Sequence, residues 1–337
     1  MLYSLCNNIK YTIRWHLESA AIFFYLFSSI IAPFVGIFLF LILIFSPLFL
    51  FGWGYLLWFY YDCRTPERGS RPNPNIRKWR LYRLIQSYFP ITLIKTADLS
   101  PENNYLIGTH PHGVLAFGPF ISLCTDAAGF DQLFPGIECT IATLRGMFWF
   151  PIRREQVLLM SNLIAVNKES IDFYLNQKSK GRALAIVVGG ANEVLTAHPH
   201  TYNICLKNRK GFIKAAFRNG AHLVPMFNFG ENDYYSQLPN GKGSIVHGIQ
   251  QLIKKIITYS PTFVLGRGFF QPLIGYMPRR RPITCVMGKP IPVERNPNPT
   301  QEQVDELHAK YCQELTELFE KYKLRCGAKL SDHLCFY

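Results

Sequence analysis

The feature that most constrains this chain is an uncharged, apolar run of 43 residues near its amino terminus, from Ser19 to Tyr61. A helix needs about 20 apolar residues to cross a bilayer, so the run is too long for one ordinary crossing. It also begins too late, and continues too far, for a cleavable signal peptide. A buried core helix is the alternative, but the length of the uncharged run favours a membrane segment.

Two spans joined by a tight turn inside the membrane, near Pro33 or Pro47, are the favoured arrangement of this run. One long span followed by an interfacial segment is the alternative. Basic residues flank the run on both sides, at Lys10, Arg14, Arg64, Arg68, Arg71, Arg77, Lys78 and Arg80. Because basic flanks stay in the cytosol, both ends of the run are predicted on that side, as a hairpin requires.

The chain carries a formal net charge of +14, with 36 basic against 22 acidic residues. It contains no zinc-finger, basic-zipper or RNA-recognition signature, so no nucleic-acid partner is predicted. Beside a membrane segment, attraction to anionic lipid headgroups explains the charge, and binding of a polyanionic cofactor would use it too. Nine cysteines without a CxxC pair argue against both a disulfide framework and a structural zinc site.

Beyond the apolar run, short strand-like stretches alternate with helical patterns: YLIG, ECTIATL, ALAIVVGG, HLVPMFNFG and ITCVMGKPI. This alternation predicts an α/β fold with a mostly parallel sheet and flanking helices. A capping-box pattern at 300–303 opens a last amphipathic helix, which we expect to pack on the sheet. The predicted divisions are a cytosolic amino terminus at 1–18, a membrane hairpin at 19–61, a basic connector with an amphipathic helix at 62–100, the α/β domain at 101–325 and a tail at 326–337.

The stretch YLIGTHPHGVLAFGPF places two histidines and a proline directly after an apolar strand. Pro111 biases the residue before it toward extended geometry, so His110 and His112 should project to one side beyond the strand end. Gly113 then allows a sharp turn or a close approach to a ligand. A lone histidine is more often structural, but this cluster indicates a reaction centre as readily as a structural role.

A second strand, in ALAIVVGGANEVL, ends in a glycine pair and a carboxylate, at Gly189, Gly190 and Glu193. Ligands of open α/β sheets gather beyond the carboxyl ends of the strands. We therefore expect this strand end and the one carrying His110 to open onto the same crevice. A turn alone would also explain the glycine pair.

A third segment is strongly basic and precedes a predicted helix, with Lys207, Arg209, Lys210, Lys214 and Arg218. Basic groups near a helix start favour binding of phosphate. A solvated surface is the more ordinary explanation of such a run.

A metal centre is a less favoured interpretation of the histidines, because His198-Pro199-His200 repeats the His-Pro-His pattern. Two such pairs offer four imidazoles to zinc, but neither lies in an H-E-x-x-H helix. The nucleophile elbow G-x-S-x-G, the P-loop and the G-x-G-x-x-G fingerprint are also absent from the sequence. Covalent serine catalysis, nucleotide hydrolysis and hydride transfer therefore lose their usual support.

An ordered set of motifs, from about Tyr60 to about Lys323, resembles the type-2 diacylglycerol acyltransferase family. The set is YDCRTPERGSR, SYFP, HPHG, VVGGANE, LKNRKGFIKAAFRNGAHLVPMFNFGEND, GRGFF, RRRPITCVMGKPIP and NPTQEQVDELHAKY. That family also contains monoacylglycerol and wax-alcohol acyltransferases. More distantly, the pattern is similar to glycerolipid acyltransferases that use His-x4-Asp, although this sequence lacks the aspartate.

The resemblance implies a multi-pass enzyme of the endoplasmic reticulum membrane, also found at lipid droplets, with a cytosolic acyltransferase domain at 101–325. It implies transfer of a fatty acyl group from acyl-CoA to a lipid hydroxyl, with diacylglycerol as the main acceptor. Monoacylglycerol and a long-chain alcohol are the alternatives. Acyl-CoA is expected as a co-substrate, and no cofactor is expected. Membrane lipids are the other expected partners. A homo-oligomer and a monomer both stay open.

The residues and the resemblance together suggest a mechanism. His112 is the favoured general base on the acceptor hydroxyl, supported by His110 and Glu193, without a covalent acyl-enzyme. Backbone N–H groups near Gly113 or the Gly189–Gly190 pair would hold the developing oxyanion. Substrate contacts are expected from Pro111, Gly113, Gly189, Gly190, Asn192, Arg209, Lys210, Gly211, Phe212, Lys214 and Glu231, with the CoA phosphates on Arg209, Lys210 and Lys214.

Two other functional classes stay open at the level of sequence. A non-catalytic lipid-binding or scaffold protein would need only the basic flank and the apolar hairpin. A lipid hydrolase would use the same crevice to transfer acyl groups to water, but the missing nucleophile elbow counts against it.

Overall fold

The structure is a computed structural model that describes residues 2–159, 163–239, 241, 243–244, 246, 248–250, 252, 262–271 and 273–337, with the backbone alone for 2–8. Its helices are α1 (Leu2–Leu26), a π-helical segment (Phe27–Ile31), α2 (Ala32–Ile44), α3 (Phe49–Asp62), α4 (Pro74–Arg77), α5 (Arg80–Tyr88), α6 (Phe117–Cys124), α7 (Phe130–Leu133), α8 (Arg153–Leu159), α9 (Lys168–Leu175), α10 (Ala191–Thr196), α11 (Gly211–Asn219) and α12 (Gln301–Tyr322). Its strands are β1 (Thr92–Lys95), β2 (Tyr105–His110), β3 (Glu138–Thr143), β4 (Leu163–Ala165), β5 (Arg182–Val187), β6 (Asn203–Ile204), β7 (His222–Phe229), β8 (Ser236–Gln237), β9 (Val264–Leu265), β10 (Thr284–Met287) and β11 (Cys335–Phe336).

Seven strands form one sheet in the order β1-β10-β7-β2-β5-β3-β4. All neighbouring pairs are parallel except β10 and β7, which are antiparallel. The prediction of an α/β fold with a mostly parallel sheet and flanking helices is therefore confirmed. The sequence analysis did not predict strands β1 and β4.

Two apolar layers cover the sheet. On one side, α1, α5 and α6 contribute residues such as Ile22, Ile85 and Phe117. On the other side, α9, α11 and α12 contribute residues such as Ile213 and Leu315. The helix predicted after the capping box is α12, and both reciprocal bonds of its Thr300–Gln303 capping box are present.

The apolar run divides into two parts that differ in what they contact. Among the described residues one helix, Ile9–Ile44, is long and apolar enough to cross a membrane, and its apolar window is largely exposed. Within it, Tyr25 is buried and packs on Phe117, with ring centroids 5.1 Å apart. Ile22 and Tyr25, near the start of the predicted hairpin segment, thus belong to the core of the domain, whereas their neighbours Phe23 and Phe24 are exposed.

The chain reverses direction at 45–48, a turn that contains Pro47, and not at Pro33, which lies inside α2. Helices α2 and α3 pack as an antiparallel pair, with the Phe40 and Tyr55 rings 5.6 Å apart. Helix α3 has 14 residues, fewer than the roughly 20 of an untilted crossing. Two complete spans therefore remain a prediction from the sequence.

Buried polar contacts fix α1 to the α/β domain. Glu18 pairs with Arg280, and Ser19 Oγ accepts a hydrogen bond of 2.8 Å from Arg267. The Glu18 side chain is only 7% exposed, whereas Arg14, its second partner, is 67% exposed. Since a hydrogen bond to a charged group counts more when buried, Arg280 should dominate this attachment.

We expect Glu18→Gln to lower the free energy of unfolding by about 1–3 kcal/mol, because a buried charged hydrogen bond is weakened. The melting temperature of the detergent-solubilised chain measures this loss. Arg14→Gln is the matched control, since it removes only the exposed partner of Glu18 and should change stability by less than about 0.5 kcal/mol. Equal losses in the two variants would contradict the assignment.

Candidate active site

Three neighbouring parallel strands deliver the candidate residues to one edge of the sheet. Strand β2 lies between β5 and β7, with Thr109 opposite both Val187 and Met226. Because parallel strands end at the same edge, the segments that follow β2, β5 and β7 meet there. The predicted common crevice of the His110 and Gly189 segments agrees with this topology.

His110 is completely buried at the end of β2. Its Nε2 lies 3.0 Å from the hydroxyl of Tyr311, which itself donates a hydrogen bond of 3.0 Å to the carbonyl of Gly108. The Tyr311 oxygen therefore accepts from Nε2–H, and Nδ1 of His110 is an unprotonated nitrogen without a hydrogen-bond partner among the described atoms. Burial lowers the pKa of His110 to about 3, so the ring is neutral.

His112 is half-buried, and two bonds fix its position. Its backbone N–H donates to Glu193 Oε2 over 2.8 Å, and its Nδ1 lies 3.2 Å from the carbonyl oxygen of Gly113. A carbonyl only accepts, so Nδ1 carries the proton and Nε2 keeps its lone pair. Burial also lowers the pKa of His112, which keeps the imidazole neutral at pH 7. His112 Nε2 can therefore accept a proton from a bound hydroxyl.

The Glu193 carboxylate joins two loops. It accepts 2.8 Å bonds from the backbone N–H groups of His112 and Cys205. Burial raises the pKa of Glu193 to about 7, against the opposing effect of these N–H bonds and of Arg209. The sequence analysis predicted that Glu193 supports the catalytic base. In the structure, the Glu193 carboxylate accepts from the backbone N–H of His112. The His112 ring instead forms its hydrogen bond with the carbonyl of Gly113.

Glycine is required where the carboxylate enters this crevice. A Cβ atom at Gly189 would lie 1.8 Å from Cδ of Glu193, so any side chain there would displace the carboxylate. Gly190 has a φ of +57° and directly precedes α10, the helix that carries Glu193. The glycine pair therefore makes room for the Glu193 side chain and precedes its helix. Asn192 lies on the same helical turn, and its Nδ2 is 3.7 Å from Cys205 Sγ.

Glu231 is buried behind the histidine loop and binds the start of α6. Its carboxylate accepts 2.8 Å bonds from the N–H groups of Phe117 and Gly118, and a 3.0 Å bond from the Tyr234 hydroxyl. Burial raises its pKa to about 8. Gly113 has a φ of +59°, and a Cβ there would lie 2.5 Å from the Glu231 carbonyl oxygen. Both carboxylate oxygens of Glu231 are thus engaged within the protein.

The loop between the two histidines is held from β7. The His110–Pro111 peptide bond is cis, and the Pro111 carbonyl accepts a 3.5 Å bond from Asn228. Phe212 is buried at the start of α11 and packs on Tyr311, with ring centroids 4.9 Å apart. Phe212 therefore helps to hold the Tyr311 ring in the position where its hydroxyl contacts His110.

The basic residues of the third segment differ in what they contact. Arg209 is exposed, and its Nη2 lies 3.4 Å from the Gly189 carbonyl, next to the carboxylate of Glu193. Lys214 is exposed on α11, which begins at Gly211. Lys210, in contrast, forms a 2.6 Å ion pair with Asp305 of α12. Arg209 and Lys214 are therefore better placed to meet an anion than Lys210.

The second His-Pro-His pair lies outside this cluster. His200 is 78% exposed, and its Nδ1 lies 3.8 Å from Asp233. In the part of the chain that the structure describes, no group of three His, Cys, Asp or Glu side chains could hold a metal ion. The described residues therefore offer no support for the metal interpretation.

Sequence reasoning missed Tyr311, which the helical pattern placed among the apolar residues of α12. A tyrosine in the buried stripe of a helix must find a partner for its hydroxyl, and that requirement was the available signal. The Cys205 N–H and the Tyr234 hydroxyl were also missed, because no motif marks a backbone donor or a distant phenol.

The whole chain is similar to proteins of one known family. The family model described as "Diacylglycerol acyltransferase" matches residues 40–337. The chain is 42% identical to the 2-acylglycerol O-acyltransferase 1 of Bos taurus over 95% of each chain. It is 43% identical to the diacylglycerol O-acyltransferase 2 of Danio rerio over 84% of this chain and 78% of that one.

Two further proteins match along most of the chain. The acyl-CoA wax alcohol acyltransferase 1 of Mus musculus is 39% identical over 96% of this chain and 95% of its own. The crystal structure of the 1-acyl-sn-glycerophosphate acyltransferase PlsC from Thermotoga maritima superposes with a TM-score of 0.41 at 10% identity, over 92% of this chain and 97% of that one. On the family match and the three close relatives, this chain belongs to the diacylglycerol acyltransferase family.

Proposed function

We propose that this protein is an acyl-CoA-dependent O-acyltransferase that esterifies a lipid hydroxyl, with diacylglycerol as the main acceptor and triacylglycerol as the product. Membership of the diacylglycerol acyltransferase family supports the reaction class. The observation that carries the site assignment is the half-buried, neutral His112 with an unprotonated Nε2. Monoacylglycerol and a long-chain alcohol are the alternative acceptors, since relatives named for each are similarly close.

The proposed reaction is a direct transfer. His112 Nε2 accepts the proton of the acceptor hydroxyl while the oxygen attacks the thioester carbonyl, which forms the ester C–O bond. The C–S bond then breaks, and the imidazolium returns its proton to the leaving CoA thiolate. No covalent acyl-enzyme is needed, which agrees with the absence of a nucleophile elbow from the sequence.

The remaining residues of the site act on the base through its loop. Glu193 holds the backbone N–H of His112, so it positions the loop. His110 and Tyr311 hold the end of β2 from the opposite side. Backbone N–H groups near Gly113 or at the Gly189–Gly190 pair would stabilise the oxyanion of the tetrahedral intermediate.

We place the enzyme in the endoplasmic reticulum membrane, with the α/β domain in the cytosol and lipid droplets as a second location. The apolar helix Ile9–Ile44 and the basic flanks of the apolar run support this assignment. Diacylglycerol is almost insoluble in water, whereas the CoA headgroup is a hydrated polyanion. A site at the membrane surface would receive the acceptor from the bilayer and the donor headgroup from the cytosol.

His112→Ala should abolish acyl transfer, because it removes the proton acceptor. The assay uses microsomes from cells that lack their own neutral-lipid synthesis, supplied with labelled oleoyl-CoA and either diacylglycerol, monoacylglycerol or hexadecanol. Label in triacylglycerol, diacylglycerol or wax ester identifies the acceptor. We expect triacylglycerol as the main product and a loss of at least about 100-fold in the variant.

His200→Ala is the matched control, since it removes an exposed histidine from a second His-Pro-His pair outside the site. It should keep the full rate at equal membrane levels. A His112→Ala variant with a near-normal rate would overturn the assignment of the base. No product with any acceptor, from a chain shown to be membrane-inserted, would favour a lipid-binding or scaffold function.

The rate should rise with pH through the pKa of Glu193, which is about 7. Below that pKa the carboxyl is protonated and weakens one of its two N–H bonds, so the His112 loop loosens. Burial lowers the pKa of His112 below its ordinary value, so the imidazole contributes less to the pH dependence in this range than a free histidine would. The value of kcat/KM should therefore increase roughly tenfold between pH 6 and pH 8.

Glu193→Gln should have a low rate that changes little over the same pH range, because the amide cannot ionise. The measurement is kcat/KM for oleoyl-CoA at a saturating acceptor concentration. If the variant kept the slope of the unaltered enzyme, the titration would belong to another group.

Arg209→Ala and Lys214→Ala should each raise the KM for acyl-CoA several-fold with little change in kcat, because each removes a cation from the CoA phosphates. Lys180→Ala is the control, since this exposed lysine precedes β5 at the opposite edge of the sheet. Lys210→Ala should have a smaller effect, because Asp305 already neutralises Lys210. An unchanged KM in the first two variants would remove the phosphate assignment.

A further inference from the structure

A loop far from the apolar run in sequence exposes four large apolar side chains. Phe270, Leu273, Ile274 and Tyr276 are 72–81% exposed. The sequence from 268 to 278, GFFQPLIGYMP, contains no charged residue. Water-soluble surfaces rarely present so many adjacent large apolar groups, so this tip is built to contact something apolar.

The described part of the loop is ordered by its own hydrogen bonds. Its two sides pair through Gly266 N–H to the Gly275 carbonyl, over 2.7 Å, and through reciprocal bonds between Arg267 and Met277. At the tip, the Gln271 side chain donates to the Ile274 carbonyl over 2.7 Å. Polar backbone groups that enter a bilayer must be satisfied inside the protein, and these bonds meet part of that requirement.

The loop lies against α1, at the point where the apolar run begins. The Phe269 ring packs edge-on against Phe23 at 5.8 Å, and Phe270 lies 6.4 Å from His16. Arg267 donates to Ser19, the first residue of the run. The apolar tip is therefore continuous with the surface of the one helix in the described chain that is long and apolar enough to cross a membrane.

Charge follows the apolar tip directly, at Arg279, Arg280 and Arg281. Arg280 is occupied by Glu18 and Arg279 by Ser236, whereas Arg281 is exposed. An uncharged tip followed by an exposed cation matches the depth profile of a bilayer, where hydrocarbon gives way to anionic headgroups.

We propose that the described loop residues 268–271 and 273–276 form a second membrane-inserting element, which enters the hydrocarbon edge of the bilayer beside α1. The base of the loop reaches the active-site region, since Tyr235 donates to the Tyr276 carbonyl over 2.8 Å and its neighbour Tyr234 binds Glu231. Insertion would therefore set the height and tilt of the catalytic crevice above the membrane. The proposal rests on membrane association and does not depend on which acceptor the enzyme uses.

The test places photoreactive p-benzoylphenylalanine at Phe270 in the full-length chain, reconstituted in vesicles of phosphatidylcholine with a minor share of phosphatidylserine. Phe38 on α2, which is 63% exposed, is the reference inside the apolar run, and Leu330, which is 73% exposed after α12, is the reference outside it. After irradiation, mass spectrometry measures the phospholipid adducts. We expect Phe270 to give a yield within about threefold of Phe38 and at least about tenfold above Leu330.

A second variant combines Leu273→Asp with the same probe at 270. It distinguishes insertion of the loop into the bilayer from a loop that only lies near the membrane surface. A charge at the tip opposes entry into hydrocarbon, so the lipid adducts at 270 should fall several-fold while those at Phe38 stay unchanged. Adducts at 270 to a second copy of the chain in place of lipid would overturn the proposal and indicate a dimer contact. A yield at 270 as low as that at Leu330 would also overturn it.

Discussion

The geometry of the candidate active site depends on the buried carboxylate of Glu193, which binds the backbone of two separate loops. One oxygen receives the N–H of His112 and the other that of Cys205. A buried carboxylate without such donors would be protonated or displaced, because its charge is costly to bury. Here desolvation prevails and raises its pKa to about 7, so the group that holds the loop is itself sensitive to pH near neutrality.

The register of three parallel strands makes that contact possible. Strands β5 and β7 flank β2, so the loops after all three meet without any long connection. The two buried carboxylates then hold opposite ends of the histidine loop: Glu193 binds His112, and Glu231 binds the first N–H groups of α6. The loop is thus fixed by main-chain contacts at both ends, which leaves the His112 Nε2 available for chemistry.

The sequence predicted the fold class and the meeting of the HPHG and GGANE segments, because both follow from local patterns: strand periodicity, glycine pairs and the common edge of parallel strands. It did not predict that Tyr311 would bind His110, since 201 residues separate them and the helical pattern marks Tyr311 only as buried. The Lys210–Asp305 pair was unpredictable for the same reason, and it changes which cations are available to an anion. Local patterns identify groups, whereas the partners of those groups depend on packing between distant segments.

Ion pairs fix both ends of the apolar hairpin to the α/β domain. At its start, Glu18 binds Arg280, and at its end Asp62 binds Arg71 over 2.9 Å and also binds the buried Arg154. Such pairs have a strong directional requirement, so the hairpin cannot rotate freely relative to the sheet. The orientation of the crevice is therefore set by the orientation of the hairpin. A lipid acceptor that arrives from the bilayer would approach His112 along a direction fixed by the protein, and a loop that inserts beside α1 would hold that direction at a third point.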